Sequence, residues 1–420
     1  NIGYLFYKQG QYFEAITYFE KAIENNPDFS EPYAYLIYLL QILGQPNPHL
    51  IQETLKKWPT DVRFWNRWFQ HLLVDPTVTT EQLFKAHCAY GELLRQQANT
   101  SFTFFNNEPN FNRRIRVGYL SRDFYDQSFI FFFKMFLTHR NKEQFEVYAY
   151  SDVAEPDHIT EWVQALVDKW YDTRTLSVQE IASLIYQDHI DILVEIGAGP
   201  TGGRCFEVFT YKPAPIQISR YLGTTGLSTI DYRISDHYLE PREKSNVGAY
   251  NYTPSGEGFS VEELLRVSQS VFCYSPPENS PDVSGLPYLK KGYLTFGSFK
   301  QSSKINAEVI ALWSKILTHL PSSQLILKYY EFRSKDTQER FWKLFEEKGV
   351  SRERLQLLPF TPLRENHLSL YHRVDIALDP FPYNGHTTSM EALYMGVPVI
   401  TMKGQTAFGR VTYSFLSVLG

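Results

Sequence analysis

The spacing of apolar positions changes along the chain and predicts several distinct regions. Residues 1–59 carry small and aromatic residues at the spacing of paired helices, and residues 60–112 continue as helices that end in a polar stretch. From residue 113 onward, short apolar runs alternate with amphipathic segments, which is typical of a parallel α/β sheet. A Gly-, Ser- and Asn-rich stretch at 242–260 divides this part into two domains, 113–260 and 261–420.

Ten apolar runs are predicted as strands because they are short and rich in β-branched or aromatic residues. They are Arg114–Leu120, Phe145–Tyr150, Asp191–Ile196, Ile216–Tyr221, Asp231–Ser235, Tyr293–Phe299, Gln324–Tyr329, Leu355–Pro359, Val374–Leu378 and Val397–Thr401. Helical segments follow most of them, so the runs predict two doubly wound sheets in tandem.

The amino-terminal pattern matches a tetratricopeptide repeat of about 34 residues. A second repeat begins at Asp28, but its second helix, starting at Leu50, follows two prolines and departs from the pattern. Such repeats bury their faces only against neighbours, so we expect the chain to be a fragment and the repeats to end a longer array. They form either a protein-binding groove or a capping spacer.

Charge and composition exclude several classes of function. The 41 basic and 46 acidic residues give a net charge of −5, and no basic run is dense, so no nucleic-acid partner is expected. No apolar run is long enough to span a membrane. Cys88, Cys205 and Cys273 lie far apart and match no metal spacing, which favours reduced thiols in a cytoplasmic protein.

Candidate chemistry is concentrated after the strand Val374–Leu378. A turn rich in Pro, Asn and Gly, Asp379–Gly385, leads into a helix that starts at His386-Thr387-Thr388. The free N–H groups at a helix start, with two hydroxyls beside them, can bind an anion. The alternative is a capped βαβ unit without a ligand, because Thr is a common N-cap.

A second glycine motif, Gly197 to Gly202, has the pattern G-x-G-x-x-G directly after a strand. This pattern is typical of dinucleotide folds, but a lone match is a weak signal. The strand that follows, Ile216–Tyr221, does not end in the acidic residue that would bind a ribose. An NAD-linked oxidoreductase is therefore only a third hypothesis.

The segment Asn384-Gly385-His386-Thr387-Thr388, followed by Met-Glu-Ala-Leu and Gly-Val-Pro, resembles the nucleotide-sugar site of the protein O-GlcNAc transferases. The resemblance covers roughly residues 113–420 and is closest to the bacterial type. It also includes Lys212-Pro213-Ala214-Pro215 and Asp231-Tyr232-Arg233. It implies a GT-B fold, with tetratricopeptide repeats in front of it.

The resemblance also implies which residues hold UDP-GlcNAc. Lys304 and His386 would be catalytic, because both would stabilise the departing UDP, and no metal or other cofactor is expected. The full set that would contact the nucleotide sugar is Gln301, Lys304, Arg364, His367, His386, Thr387, Thr388 and Glu391. Arg364 and Glu391 stand where the family has Lys and Asp.

The departures from the family lie in the first α/β domain. Gln127 replaces a family His, and Gln cannot act as a general base near neutral pH. Gly199-Pro200 replaces a polar pair, and about three residues are absent between Gly223 and Thr224. These changes bear on catalysis more than on nucleotide binding.

The main hypothesis is a glycosyltransferase that moves GlcNAc or a similar sugar, with inversion, from a UDP-sugar to Ser or Thr of a protein. The repeats would help to bind that acceptor. The alternative hypothesis is a UDP-sugar-binding or scaffold protein that has lost transfer.

Overall fold

The computed structural model describes residues 2–98, 100–110, 112–241, 259–361 and 364–420, and the side chain of Arg364 lies outside this description. Its helices are α1 (Ile2–Gln9), α2 (Tyr12–Asn25), α3 (Ser30–Ile42), α4 (Pro48–Lys57), α5 (Val62–Val74), α6 (Thr80–Gln97), α7 (Ile130–Thr138), α8 (His158–Leu166), α9 (Val178–Gln187), α10 (Arg204–Val208), α11 (Pro287–Lys291), α12 (Ala307–His319), α13 (Lys335–Glu346), α14 (Arg364–Ser369), α15 (Thr387–Tyr394) and α16 (Val411–Leu419).

The strands belong to two parallel sheets. They are β1 (Ile115–Ser121), β2 (Phe145–Ser151), β3 (Lys169–Asp172), β4 (Ile192–Glu195), β5 (Ile216–Ser219), β6 (Tyr232–Asp236), β7 (Glu263–Val267), β8 (Thr295–Ser298), β9 (Gln324–Lys328), β10 (Leu355–Leu358), β11 (Ile376–Leu378) and β12 (Val399–Ile400).

The described chain forms two compact units. We call Asn1–Val78 with Pro276–Tyr413 the repeat-containing unit, and Thr79–Ser275 with Ser414–Gly420 the central unit. Each unit contains one of the two sheets, so each has its own apolar core.

The first two helices pack as a repeat. Tyr12, Ala15 and Phe19 of α2 are fully buried. Gly3 lies so close to Phe19 that a Cβ atom there would be 2.9 Å from the ring, so a small residue is needed for the helices to approach. Asn47 and Asp61 cap the starts of α4 and α5 by accepting backbone N–H groups, which explains why those helices begin where they do.

The central unit holds a seven-stranded sheet in the order β3-β2-β1-β4-β5-β6-β7. All its strand pairs are parallel. Two strands, β3 and β7, were not predicted. The predicted domain boundary at 260/261 falls just before β7, a strand that pairs with β6 and so extends this sheet.

The repeat-containing unit holds a five-stranded parallel sheet in the order β10-β9-β8-β11-β12. Phe296, Leu325 and Leu378 are buried in the core on one side of it, and Ile326 and Ala377 in a second apolar cluster. Since the strands are parallel, the segments after β8, β10 and β11 emerge at the same edge. These segments carry most of the residues that the resemblance singles out.

None of the helices in the described chain is long and apolar enough to cross a membrane. The three cysteines are free thiols, with Cys205 buried and Cys273 exposed.

Candidate nucleotide-sugar site

The turns after β8 and β11 meet at Lys304. Its ammonium donates to the carbonyl oxygen of Asn384 at 2.8 Å and lies 3.3 Å from the ring centre of Tyr383. Asn384 lies three residues before α15, so these contacts place a positive charge at the start of that helix. The sequence prediction that Lys304 and the His386 turn act together is consistent with this geometry.

A buried ion pair between Lys300 and Asp379 stabilises the turn that leads into α15. The ammonium of Lys300 donates to Ser389 Oγ at 2.6 Å and lies 3.5 Å from Asp379 Oδ1. That same carboxylate oxygen accepts the N–H of Gly385 at 2.7 Å. A Cβ atom at Gly385 would lie 1.9 Å from the Lys300 nitrogen, so the turn requires glycine here. The strand ends and the helix start are thereby held as one rigid group.

The start of α15 is not closed by its own side chains. His386 occupies the N-cap position and makes no side-chain cap hydrogen bond to the helix amides. Thr387 is buried, and Thr388 is half-buried and accepts a hydrogen bond from Tyr371 Oη through its carbonyl at 2.8 Å. Uncapped amides and the helix dipole favour an anion at this position. The N-cap residue is thus His386 and not a threonine, and binding of a ligand at this helix start stays a prediction.

Burial and charge lower the pKa of Lys304. Burial is the largest cause, repulsion from Lys300 adds to it, and together they bring the pKa to about 7 against the opposing effect of Asp379. Burial likewise lowers the pKa of Lys300, although Asp379 opposes it. The carboxylate of Glu391 also opposes the lowering of the Lys300 pKa. A bound anion would favour the charged form of both lysines.

His367 and Glu391, both predicted site residues, lie in one hydrogen-bonded chain. The ammonium of Lys328 donates to His367 Nδ1 at 2.6 Å, and His367 Nε2–H donates to Glu391 Oε2 at 2.9 Å. The ring of His367 also packs 5.9 Å from that of Phe299. The chain links β9, α14 and α15 and fixes the orientation of the imidazole.

The remaining two predicted residues are less closely tied to this group. Gln301 accepts the N–H of Lys304 through its carbonyl at 3.0 Å, and its side chain lines a separate cavity. Arg364 begins α14, but its side chain lies outside the described residues. Their predicted contacts with the nucleotide stay predictions.

Three charged residues of this group, Lys300, Asp379 and Lys328, were not predicted as site residues. The sequence does contain a feature that could have identified two of them. Lys300 adjoins Gln301, and Asp379 comes directly after a buried strand, where polar residues of parallel sheets gather. Lys328 also ends a strand, but an isolated lysine at such a position is not distinctive.

In the glycine motif of the central unit, backbone amides are hydrogen-bonded to the protein's own Glu195. The N–H groups of Gly197 and Gly199 both donate to Glu195 Oε1 at 2.8 Å, and Ser219 Oγ donates to the other oxygen at 2.7 Å. A phosphate would need those same amides. The adjoining cavity has a volume of about 10 Å³, and the helix that follows has only five residues. This geometry argues against the NAD hypothesis.

The other positions that differ from the family, Gln127 and the Gly223–Thr224 turn, also form hydrogen bonds within the central unit. Gln127 Oε1 accepts the N–H of Phe129 at 3.2 Å. The shortened Gly223–Thr224 turn is anchored on Glu262, which is fully buried and accepts from Thr224 Oγ1 at 2.9 Å and Thr225 N at 2.7 Å. These substitutions therefore belong to a well-packed fold.

Within the described residues there is no group of three or more His, Cys, Asp or Glu side chains arranged to hold a metal ion. Metal-independent binding of UDP stays a prediction that only a binding experiment can test.

Two parallel sheets built from alternating strands and helices, preceded by repeat helices, define the class of protein as a GT-B glycosyltransferase fold. The sequence profile of glycosyl transferase family 41 matches residues 90–253 and 285–420, and the tetratricopeptide repeat profile matches residues 1–29. The chain belongs to glycosyl transferase family 41.

Several known proteins are similar to this chain. A probable UDP-N-acetylglucosamine–peptide N-acetylglucosaminyltransferase SPINDLY of Solanum lycopersicum is 34% identical over 348 residues, 81% of this chain and 36% of that protein. The protein SEC of Arabidopsis thaliana, which carries the same description, is 29% identical over 315 residues, 73% of this chain and 31% of that protein. The chain thus spans about a third of the length of these relatives.

One solved structure matches nearly the whole length of this chain. A mutant of the Thermobaculum terrenum O-GlcNAc transferase superimposes with a TM-score of 0.88 at 30% identity, covering 99% of this chain and 77% of that one. The predicted fold class, tetratricopeptide helices followed by a GT-B fold, is confirmed.

Proposed function

We propose that the chain transfers a sugar, GlcNAc or one similar to it, from a UDP-sugar to Ser or Thr hydroxyls of a protein. The observation that carries the proposal is the Lys304 ammonium bonded to Asn384 at the uncapped start of α15. Family membership and the printed names of the relatives support the same donor and acceptor classes.

Each side chain of the site has a role in this reaction. The acceptor oxygen forms a bond to the anomeric carbon, with inversion, while the bond from that carbon to the β-phosphate oxygen breaks. UDP leaves with the electron pair, and the hydroxyl proton passes to an oxygen of the departing diphosphate. Lys304 and the amides at His386 to Thr388 stabilise the growing phosphate charge, which is worth most in the transition state. Gln301, Arg364, His367 and Glu391 position the nucleotide.

The family resemblance relates the changed positions of the central unit to catalysis and to the choice of sugar. Gln127 cannot act as a general base near neutral pH, and Gly199-Pro200 has no side-chain hydroxyl or imidazole. We favour retained sugar transfer over the scaffold alternative because the residues proposed to bind phosphate, Lys300, Lys304 and Gly385, are all present. A cytoplasmic location, and acceptor binding through the repeats, belong to the same proposal.

The test is a panel of UDP-sugars offered with acceptor peptides, with product detected by mass spectrometry. Turnover of one UDP-sugar that also binds more tightly than UDP would support the proposal. Binding of UDP and every UDP-sugar alike, with no transfer, would favour the scaffold alternative. Lys315→Ala is a suitable control for changes at Lys304, because Lys315 is an exposed lysine in the same unit.

A further inference from the structure

A second cavity lies in the repeat-containing unit, beside the segment that carries Gln301 and Lys304. Its volume is about 420 Å³, and it is lined by α3, α5, α13 and the start of α12, with the segment before α12 completing the wall. Much of its wall is apolar, with Ile42, Val74 and Leu344 as examples. Among the described residues of the candidate site, Gln301 is the one that also borders this cavity.

Two half-buried arginines line the cavity. The guanidinium of Arg67 on α5 lies 4.5 Å from the ring centre of Tyr38. The guanidinium of Arg340 on α13 lies against Gly44, where a Cβ atom would come within 1.7 Å of one of its nitrogens. Glycine at position 44 therefore makes room for the charged group.

Neither arginine forms an ion pair within the described part of the chain. Burial lowers the pKa of Arg340 to about 10 with no carboxylate among the causes, and burial is also the largest cause lowering the pKa of Arg67. Two acids do border the cavity, but Asp75 lies 3.6 Å from His71 and Glu308 is exposed. A cation buried without an acid is costly, and such groups in proteins are usually paired.

We propose that this cavity binds a small amphiphilic anion, with its charged head on Arg67 and Arg340 and its apolar body between α3, α5 and α12. The volume falls within the range of small-molecule sites, which are mostly apolar with a few placed polar groups. Guanidinium groups bind carboxylate and phosphate oxygens through paired N–H donors. The cavity combines both features, and it goes beyond the sugar-transfer function proposed above.

The direct test is calorimetric titration of the full chain with octanoate, octyl phosphate and octanol. We expect octanoate, octyl phosphate or both to bind with one molecule per chain, and the comparison of the two shows which head is preferred. Octanol, which has the same body without the charge, should bind at least about tenfold more weakly, as expected for the loss of a charged hydrogen bond. Equal binding of octanol, or no binding of either anion, would overturn the proposal.

Matched variants locate the binding. Arg67→Gln and Arg340→Gln should each weaken binding of the preferred anion by about tenfold or more. Arg63→Gln on α5 and Lys343→Gln on α13 are the controls, because each removes an exposed positive charge from the same helix outside the cavity wall. If the controls weaken binding as much as the cavity variants, the anion binds elsewhere.

Two further measurements keep the test decisive if a variant is poorly folded. Gln70→Trp leaves both arginines in place but fills the cavity, so it should abolish binding as well. Saturating UDP should not displace the anion. Displacement by UDP, together with loss of UDP binding in Arg67→Gln, would make the cavity part of the nucleotide site and contradict the proposal.

Discussion

Two turns of this protein look alike in sequence but differ in what they can bind. Each follows a buried parallel strand, contains glycine and donates backbone N–H groups to a carboxylate near the strand end. In the central unit that carboxylate is Glu195, which takes up the amides of Gly197 and Gly199. In the repeat-containing unit it is Asp379, which takes up only the amide of Gly385 within the turn.

The difference in charge is equally important. Lys300 lies within 3.5 Å of Asp379, and Lys304 adds a second positive charge to the turn. Glu195 is surrounded by amides and a hydroxyl, and burial raises its pKa above the ordinary value. We therefore expect a glycine turn to bind an anion where a lysine stands beside it and its carboxylate takes up few of its amides, and this stays a prediction for the turn before α15.

The largest effect is expected from Lys304→Ala. Removing one preorganised donor to developing charge costs about 2.7–4 kcal/mol, or about 10²–10³-fold in kcat. Affinity for the UDP-sugar donor should fall by less, because the phosphate charge is greater in the transition state than in the bound donor. Steady-state transfer kinetics and titration with the UDP-sugar measure the two quantities.

The control for that substitution is Lys315→Ala, which should leave both quantities unchanged. Equal losses in kcat and in affinity for the UDP-sugar would mean that Lys304 only binds the donor and does not stabilise the transition state.

Substitutions at Gly385 and Gly199 should have different effects, the first on UDP affinity and the second on the free energy of unfolding. Gly385→Ala places a Cβ atom 1.9 Å from the Lys300 nitrogen, so UDP affinity should fall by about tenfold as the ion pair shifts. Gly199→Ala places one 2.4 Å from the Tyr221 ring at a φ of +52°, so the free energy of unfolding should fall by about 1–3 kcal/mol. Calorimetry and denaturant unfolding of both variants check this.

UDP affinity should be unaffected by Gly199→Ala. If it weakens UDP binding as much as Gly385→Ala does, the contrast between the two turns is wrong.

A smaller effect is expected from pH. The pKa of Lys304 is about 7 in the free protein, and a bound diphosphate raises the pKa of a neighbouring ammonium. Below that pKa the lysine is protonated in both states. Above it, UDP binding must take up a proton, so affinity falls with rising pH by up to about tenfold per pH unit.

Proton uptake is measured by calorimetry at pH about 8 in buffers of different ionisation enthalpy. Lys304→Ala serves as the reference for the titration of UDP itself. Identical proton uptake by the wild type and by this variant would show that another group titrates.

How much of the fold could be predicted depended on where each strand lies. The central strands β4 and β8 are almost wholly buried, and β4 opens with the apolar run Ile192-Leu193-Val194 because both its faces are covered. The two missed strands, β3 and β7, are the edges of the seven-stranded sheet, where side chains are half-exposed. Their short, mixed polar and apolar composition carries a weaker signal, and β7 also follows the loop at which the domain boundary was predicted.

The site was predictable where local motifs carry it. Lys304, His386 and the two threonines lie in recognisable segments. The structure pairs His367 with Glu391, and their roles in binding the nucleotide stay predictions. Lys300 and Asp379 could not be paired from the sequence, because their contact joins positions 79 residues apart through the sheet. Spacing alone also could not show that the Gly197 loop binds its own Glu195.

The most direct test of this account is a calorimetric titration of the full chain with UDP and with NAD, each in the presence and absence of EDTA. We predict that UDP binds with the same affinity with and without EDTA, that Gly385→Ala weakens it, and that NAD gives no binding heat. Loss of UDP binding in EDTA would contradict the role given to Lys304 and the start of α15. Binding of NAD would contradict the conclusion that the Gly197 loop is closed around Glu195.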